Sequence, residues 1–242
     1  MNPDWIVPDW PAPARVRALA TTRGGGVSAP PYDSFNLATH VGDQPRAVAE
    51  NRRRLRSALP AEPLWLNQVH GTRAVTAEQA GSDLAADACV ASSPDRVCAV
   101  QSADCLPVLF ADLAGTVVAA AHAGWRGLAA GVLEQTVTAM AVAPENLLAW
   151  LGPAIGPAAF EVGAEVREIF SAHDPAAAAA FAANDRGRWQ CDLAALARLR
   201  LARAGVARVF GGGLCTHSDP LRFYSYRRDG VTGRMASLVW LA

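Results

Sequence analysis

The chain has 242 residues, 51% of them hydrophobic, with 22 basic and 22 acidic side chains. That even balance argues against binding driven by excess positive charge at nucleic-acid phosphates, and no apolar run approaches the ~20 residues that a membrane-spanning helix needs. Five cysteines, an odd number not spaced as a disulfide framework, and an N-terminus without the basic-then-apolar order of a signal peptide fit a protein of the reducing cytoplasm.

In chain order, residues 17–22 form a short apolar segment stopped by Arg23-Gly24-Gly25-Gly26, a turn signal. Residues 45–59 read as a helix, with Pro45 near its start and Ala49, Leu55 and Leu59 on one face; its arginines 52–54 and 56 read as solvated. Residues 64–69, 74–77, 88–91 and 97–101 are short and rich in Val, Leu or Trp, as strands are. Residues 108–111 and 116–121 bracket Asp112-Leu113-Ala114-Gly115, a hairpin turn, and the second strand delivers His122 at its end. A helix over 128–141, a buried strand over 147–151, and helices over 161–172, 176–180 and 192–204 follow. Strands over 206–210, 222–226 and 235–241 close the chain. Cys89, Cys98 and Cys191 lie in apolar surroundings and read as small core residues. No internal repeat or linker interrupts this order. Short turns between neighbouring strands disfavour a purely parallel sheet, so a mixed-sheet α/β fold is expected, one domain over 1–242 with 1–15 as an N-terminal extension.

The chemistry concentrates in three segments: Asn67-Gln68-Val69-His70-Gly71, Ala103-Asp104-Cys105-Leu106-Pro107 and His122-Ala123-Gly124-Trp125-Arg126-Gly127. His70, Cys105 and His122 supply two imidazoles and a thiolate, a set that can hold zinc by three ligands and leave a fourth position open. The same set with a weak axial ligand would suit copper. Without metal, Cys105 could act as a nucleophile with His122 or His70 as its base and Asp104 as the orienting carboxylate. The separations match no local metal motif, and a core cysteine with two loop-end histidines gives the same pattern. Arg23 beside three glycines is a candidate anion site, or a surface arginine at a tight turn. Asn36 and His40 could point into the same cleft, and Arg126 at a helix start could meet a phosphate or carboxylate. In Phe223-Tyr224-Ser225-Tyr226-Arg227-Arg228, strand alternation would put Tyr224 and Tyr226 on one face, suited to stacking on a flat heterocycle beside Arg227.

With Gly152-Pro153-Ala154-Ile155-Gly156 and Thr232-Gly233-Arg234 added, the motifs together resemble the YfiH-like family, also called the polyphenol oxidase or laccase-domain family, from about Thr21 to the C-terminus. The resemblance implies a single-domain α/β/β/α layered fold with mixed sheets, and zinc at His70, Cys105 and His122. It implies phosphorolysis of adenosine, inosine and methylthioadenosine and deamination of adenosine. The family's peptidoglycan editing factor offers the alternative: an amide hydrolase removing misincorporated serine from a cell-wall precursor. The expected partners are small molecules, neither nucleic acid nor membrane. The expected site comprises His70, Cys105 and His122 as ligands and catalytic groups with Asp104, and Arg23, Asn36, His40, Arg126, Tyr224 and Arg227 as substrate contacts.

Overall fold

A computed structural model describes residues 4–79 and 81–242. Its elements run β1 (Val16–Ala20), α1 (Pro45–Arg56), β2 (Pro63–Leu64), β3 (Ala74–Thr76), β4 (Ala88–Ala91), β5 (Val97–Ser102), β6 (Leu106–Asp112) and β7 (Val118–Ala123). There follow α2 (Trp125–Ala130), α3 (Val132–Ala139), β8 (Leu147–Leu151), β9 (Glu161–Val162), α4 (Ala164–His173), β10 (Phe181–Ala183) and β11 (Trp189–Cys191). The chain ends with α5 (Leu193–Arg203), β12 (Arg208–Gly211), α6 (Tyr226–Asp229) and β13 (Met235–Leu241).

Strands β4 to β8 and β13 are buried along their whole length. Both faces of each are therefore covered, which explains why they read as continuous apolar runs. They form a six-stranded mixed sheet, β12-β8-β6-β7-β4-β3, and a four-stranded mixed sheet, β1-β13-β5-β2; β10, β11 and β9 make a small antiparallel sheet. Cys89, Leu109, Val118, Ala120 and Trp150 from the larger sheet meet Cys98, Val100 and Val239 from the smaller one in a shared core. The other face of the six-stranded sheet packs against α2 to α5 through Leu128, Leu133, Phe170 and Leu196. The outer face of the four-stranded sheet packs against α1 through Leu55, with Phe35 and Leu37. The layers are thus α/β/β/α, as the resemblance implies.

Several element boundaries differ from the sequence reading, each for a local reason. The helix expected over 128–141 starts at Trp125 and is broken in two by Gly131, whose φ of 104° is left-handed. The strand expected to begin at 116 begins at Val118, because Asp112 Oδ1 accepts from the N–H groups of Thr116 and Val117 and extends the turn. Of residues 64–69 only Leu64 is in a strand, with Asn67 making an isolated bridge to Ala85. Glu161 and Val162 pair with β11 before α4 starts, and the alanine tract is a 3-10 helix, Pro175–Ala180, capped by Asp174. The strand expected over 222–226 does not form: Ser225 caps α6, its hydroxyl accepting from the Arg228 N–H. Within the stretch read as an extension, Trp5 is buried 5.7 Å from Phe35 and Ile6 pairs with Ala20.

Candidate metal centre and its cavity

Alternation along β7 puts His122 on the same side as Val118 and Ala120, the side that faces the second sheet. The residues just after β5 bring Cys105 to the same end of the interlayer space, and the loop before β3 brings His70. One donor atom from each of His70, Cys105 and His122 lies within 4.8 Å of the others. Cys105 Sγ is 3.7 Å from His70 Nε2, and the two imidazole rings meet edge-on at 4.9 Å between centroids. Gly124 permits this approach: a Cβ there would sit 2.8 Å from His70 Cδ2 and 3.0 Å from Cys105 Sγ.

Asp87 holds the arrangement together. It is fully buried, and its carboxylate accepts from the N–H groups of Val69, His70 and Gly71 at 3.1, 3.0 and 2.7 Å. These bonds stabilise the His70 backbone at a φ of 59°, a conformation costly for a side-chain-bearing residue. Asp87 Oδ1 also lies 2.8 Å from His122 Nδ1. That contact fixes the tautomer and ring direction and leaves Nε2 as the donor atom, the carboxylate–histidine arrangement common behind metal ligands. Sequence reasoning missed Asp87. The signal was a lone acid among alanines, Ala85-Ala86-Asp87-Ala88, opening a buried strand.

The electrostatics follow from this crowding. Burial raises the Cys105 pKa, but the His122 charge and hydrogen bonds from His122 and His70 outweigh it and bring the thiol down to about 6. Burial lowers the His122 pKa, but the Cys105 thiolate and the Asp87 carboxylate outweigh it and bring the imidazole up to about 9. Asp87 is itself held below its ordinary value: burial raises it, and the bonds from His122 and Gly71 prevail. Without metal the site is a thiolate–imidazolium pair backed by a carboxylate. Its donors are two imidazoles and one thiolate, a composition suited to zinc with an open position.

The three donors line a cavity of about 360 Å³, together with His40, Leu66, Gln68, Gln101, Ser102, Ala103, Tyr226 and Arg234. Of the expected substrate contacts only His40 is among them. Its pKa is lowered by burial, then by the charges of Arg234 and Arg52. Asn36 is instead fully buried, exchanging bonds with Ala38, donating to Asp43 and accepting from the Arg234 N–H. Tyr224 is buried, and its hydroxyl donates to the Tyr32 carbonyl. Tyr226 is 59% exposed, so the two tyrosines do not share a face. Arg23 stacks on the Tyr224 ring at 4.9 Å and is tied to Asp33 and the Pro220 carbonyl. Arg126 is exposed over the Trp125 ring, and Arg227 over Phe160, bonded to the Glu161 carbonyl. Asp104 is not placed for acid–base work. Its two oxygens accept from Thr216 Oγ1 and the Arg227 N–H, each at 2.6 Å, which ties the Cys105 loop to α6. Gln68 and Arg234, which do line the cavity, stand inside motifs already noted, beside more conspicuous neighbours. Gln68 pairs with the backbone of Gln101 in both directions.

A family model described as multi-copper polyphenol oxidoreductase laccase matches residues 17–242. A purine nucleoside phosphorylase of Pseudomonas aeruginosa is 59% identical over 238 residues, 98% of each chain. The purine nucleoside phosphorylase YfiH of Escherichia coli is 58% identical over 240 residues, again 98% of each. A crystal structure of a Neisseria meningitidis protein superposes with a TM-score of 0.94 at 54% identity, covering 98% of this chain and 99% of the other. YlmD from Geobacillus stearothermophilus superposes at 0.91 with 30% identity, covering 100% and 97%.

Proposed function

This chain belongs to the family described as multi-copper polyphenol oxidoreductase laccase, and from its relatives named purine nucleoside phosphorylase we propose that it is a purine nucleoside phosphorylase whose centre is His70, Cys105 and His122. The carrying observation is the convergence of those three donor atoms within 4.8 Å on the wall of a substrate-sized cavity. The names of the Pseudomonas aeruginosa and Escherichia coli relatives support the substrate class. The adenine and hypoxanthine nucleosides, methylthioadenosine included, are the proposed substrates, with deamination of adenosine as a second reaction.

Zinc is the proposed metal, held by His122 Nε2, a His70 ring nitrogen and Cys105 Sγ, where it would supply Lewis acidity and activate water. The chain's own groups do the rest. Asp87 keeps the proton on His122 Nδ1 and freezes the His70 loop. The exposed Tyr226 ring at the cavity offers a flat face to a purine. In phosphorolysis a phosphate oxygen bonds to the ribose C1′ and the bond from C1′ to the base breaks. The base leaves with the electron pair and takes up a proton. In deamination water adds to the purine ring carbon and ammonia departs.

Purified protein of measured metal content, given adenosine, inosine or methylthioadenosine with phosphate, should release free base and ribose 1-phosphate, or its methylthio analogue. Cys105→Ala should lose both the metal and the turnover. Full activity in that variant would defeat the metal assignment. Release of serine from a serine-bearing muropeptide, with nucleosides untouched, would replace this reading by the editing hydrolase.

A further inference from the structure

We infer that Arg234 is the anchor for an anionic group bound in the His70–Cys105–His122 cavity. In the lining of that cavity Arg234 is the sole arginine, and no carboxylate accompanies it. Of the other poorly exposed arginines, Arg23, Arg200 and Arg228 are ion-paired with Asp33, Glu134 and Asp229, Arg52 and Arg167 lie over the Trp65 and Trp189 rings outside this cavity, and Arg56 donates to the Leu59 and Pro60 carbonyls. Among the described residues Arg234 has no ion-pair partner; its guanidinium lies over the Tyr226 ring, 5.8 Å from the centroid. Its Nη1 donates to the carbonyls of Thr232 and Gly233 at 2.9 and 3.0 Å. That leaves the Nε and Nη2 edge, the fork whose two parallel N–H groups match two oxygens of a phosphate or carboxylate. The negative charges of Cys105 and Asp104 act on this half-buried guanidinium only without an ion-pair contact, so an anion arriving from solvent would gain the charge-assisted fork that neither supplies.

The surroundings hold this fork in place. The Arg234 N–H donates to Asn36 Oδ1, and its carbonyl accepts from the Leu37 N–H. The next residue, Met235, pairs with Ser102, another cavity residue. A Cβ on Gly233 would come within 2.7 Å of the Tyr224 ring and 2.9 Å of Asn36 Cβ, so the turn before Arg234 is seated tightly on both. Asn36 and Tyr224, expected to touch substrate, thus support the residue that does. The anion's identity as orthophosphate rests on the phosphorolytic reading; the anion site itself does not.

The test titrates the metal-loaded protein with inorganic phosphate by calorimetry and separately measures the KM for phosphate. Arg234→Gln should weaken phosphate binding and raise that KM by about tenfold or more, the size of one charged hydrogen-bonded contact. Metal content should be unchanged. Arg234→Lys, which keeps the charge but not the fork, should recover part of the loss and guards against a folding defect in the first variant. Phosphate binding that is absent from the unmutated protein, or equal in Arg234→Gln, overturns the proposal. Binding that depends on Arg234 without any phosphorolysis upholds the anion site and overturns the phosphorylase reading instead.

Discussion

Asp87 shows how one buried carboxylate can set two ligands. Its bonds to the Val69, His70 and Gly71 N–H groups and to His122 Nδ1 use both oxygens. Asp87→Asn keeps the shape but removes the charge and sets an amide N–H2 against donors. We expect a 10- to 100-fold loss of zinc affinity, read by competition with a chelating dye; unchanged affinity would show that the carboxylate is only structural. The thiolate pair makes a second prediction. In metal-free protein, alkylation of Cys105 should be half-maximal near pH 6, far below an ordinary thiol. The lowered Cys105 pKa contributes stability above the unfolded thiol value, lost as pH falls through about 6. The raised His122 pKa contributes below the unfolded imidazole value and is lost as pH rises through about 9. Between the two ordinary values folding moves a proton from sulfur to imidazole without net uptake, so stability is flat there. Alkylation, not melting, therefore reports the pair. A reaction midpoint at the ordinary thiol value would disprove the ion pair.

At the scale of elements, boundaries were set by side chains that bond the backbone. Asp112 lengthened a turn, Asp192 capped α5 by accepting from the Ala195 N–H, and Ser225 turned an expected strand into the cap of α6. Propensity and periodicity do not carry these bonds, since they depend on which neighbour the side chain meets. Gly131 is the clearest case of a residue that punctuates an apolar helix. Its φ of 104° and a Cβ position 3.3 Å from Arg200 Nη2 make Gly131→Ala strained. A loss of about 1–2 kcal/mol is expected in denaturant unfolding; a stabilised variant would mean that the two helices can fuse.

At the scale of the molecule, two loops carrying His70 and Cys105 meet the end of β7 carrying His122 at one end of the shared core, and a metal joining them must stabilise the whole. Zinc at a hundred times its Kd should add about 2.7 kcal/mol and raise Tm by roughly 5–10 °C, reversed by a chelator. A Tm indifferent to zinc would separate the centre from folding. Apolar runs are local signals, so the mixed-sheet α/β character and the buried strands 88–91, 147–151 and 235–241 are legible in the amino-acid order; His70, Cys105 and His122 stand out there as candidates, and the layering follows only from the family resemblance. The amino-acid order also marked Cys89, Cys98 and Cys191 as core, and all are buried. Which polar residues surround the donors emerges only when the chain folds. Asn36, Tyr224, Arg23 and Asp104 became scaffold, while Asp87, Gln101 and Arg234 came to the site. A side chain's role depends on the partners that satisfy it, and those partners lie far away in the chain.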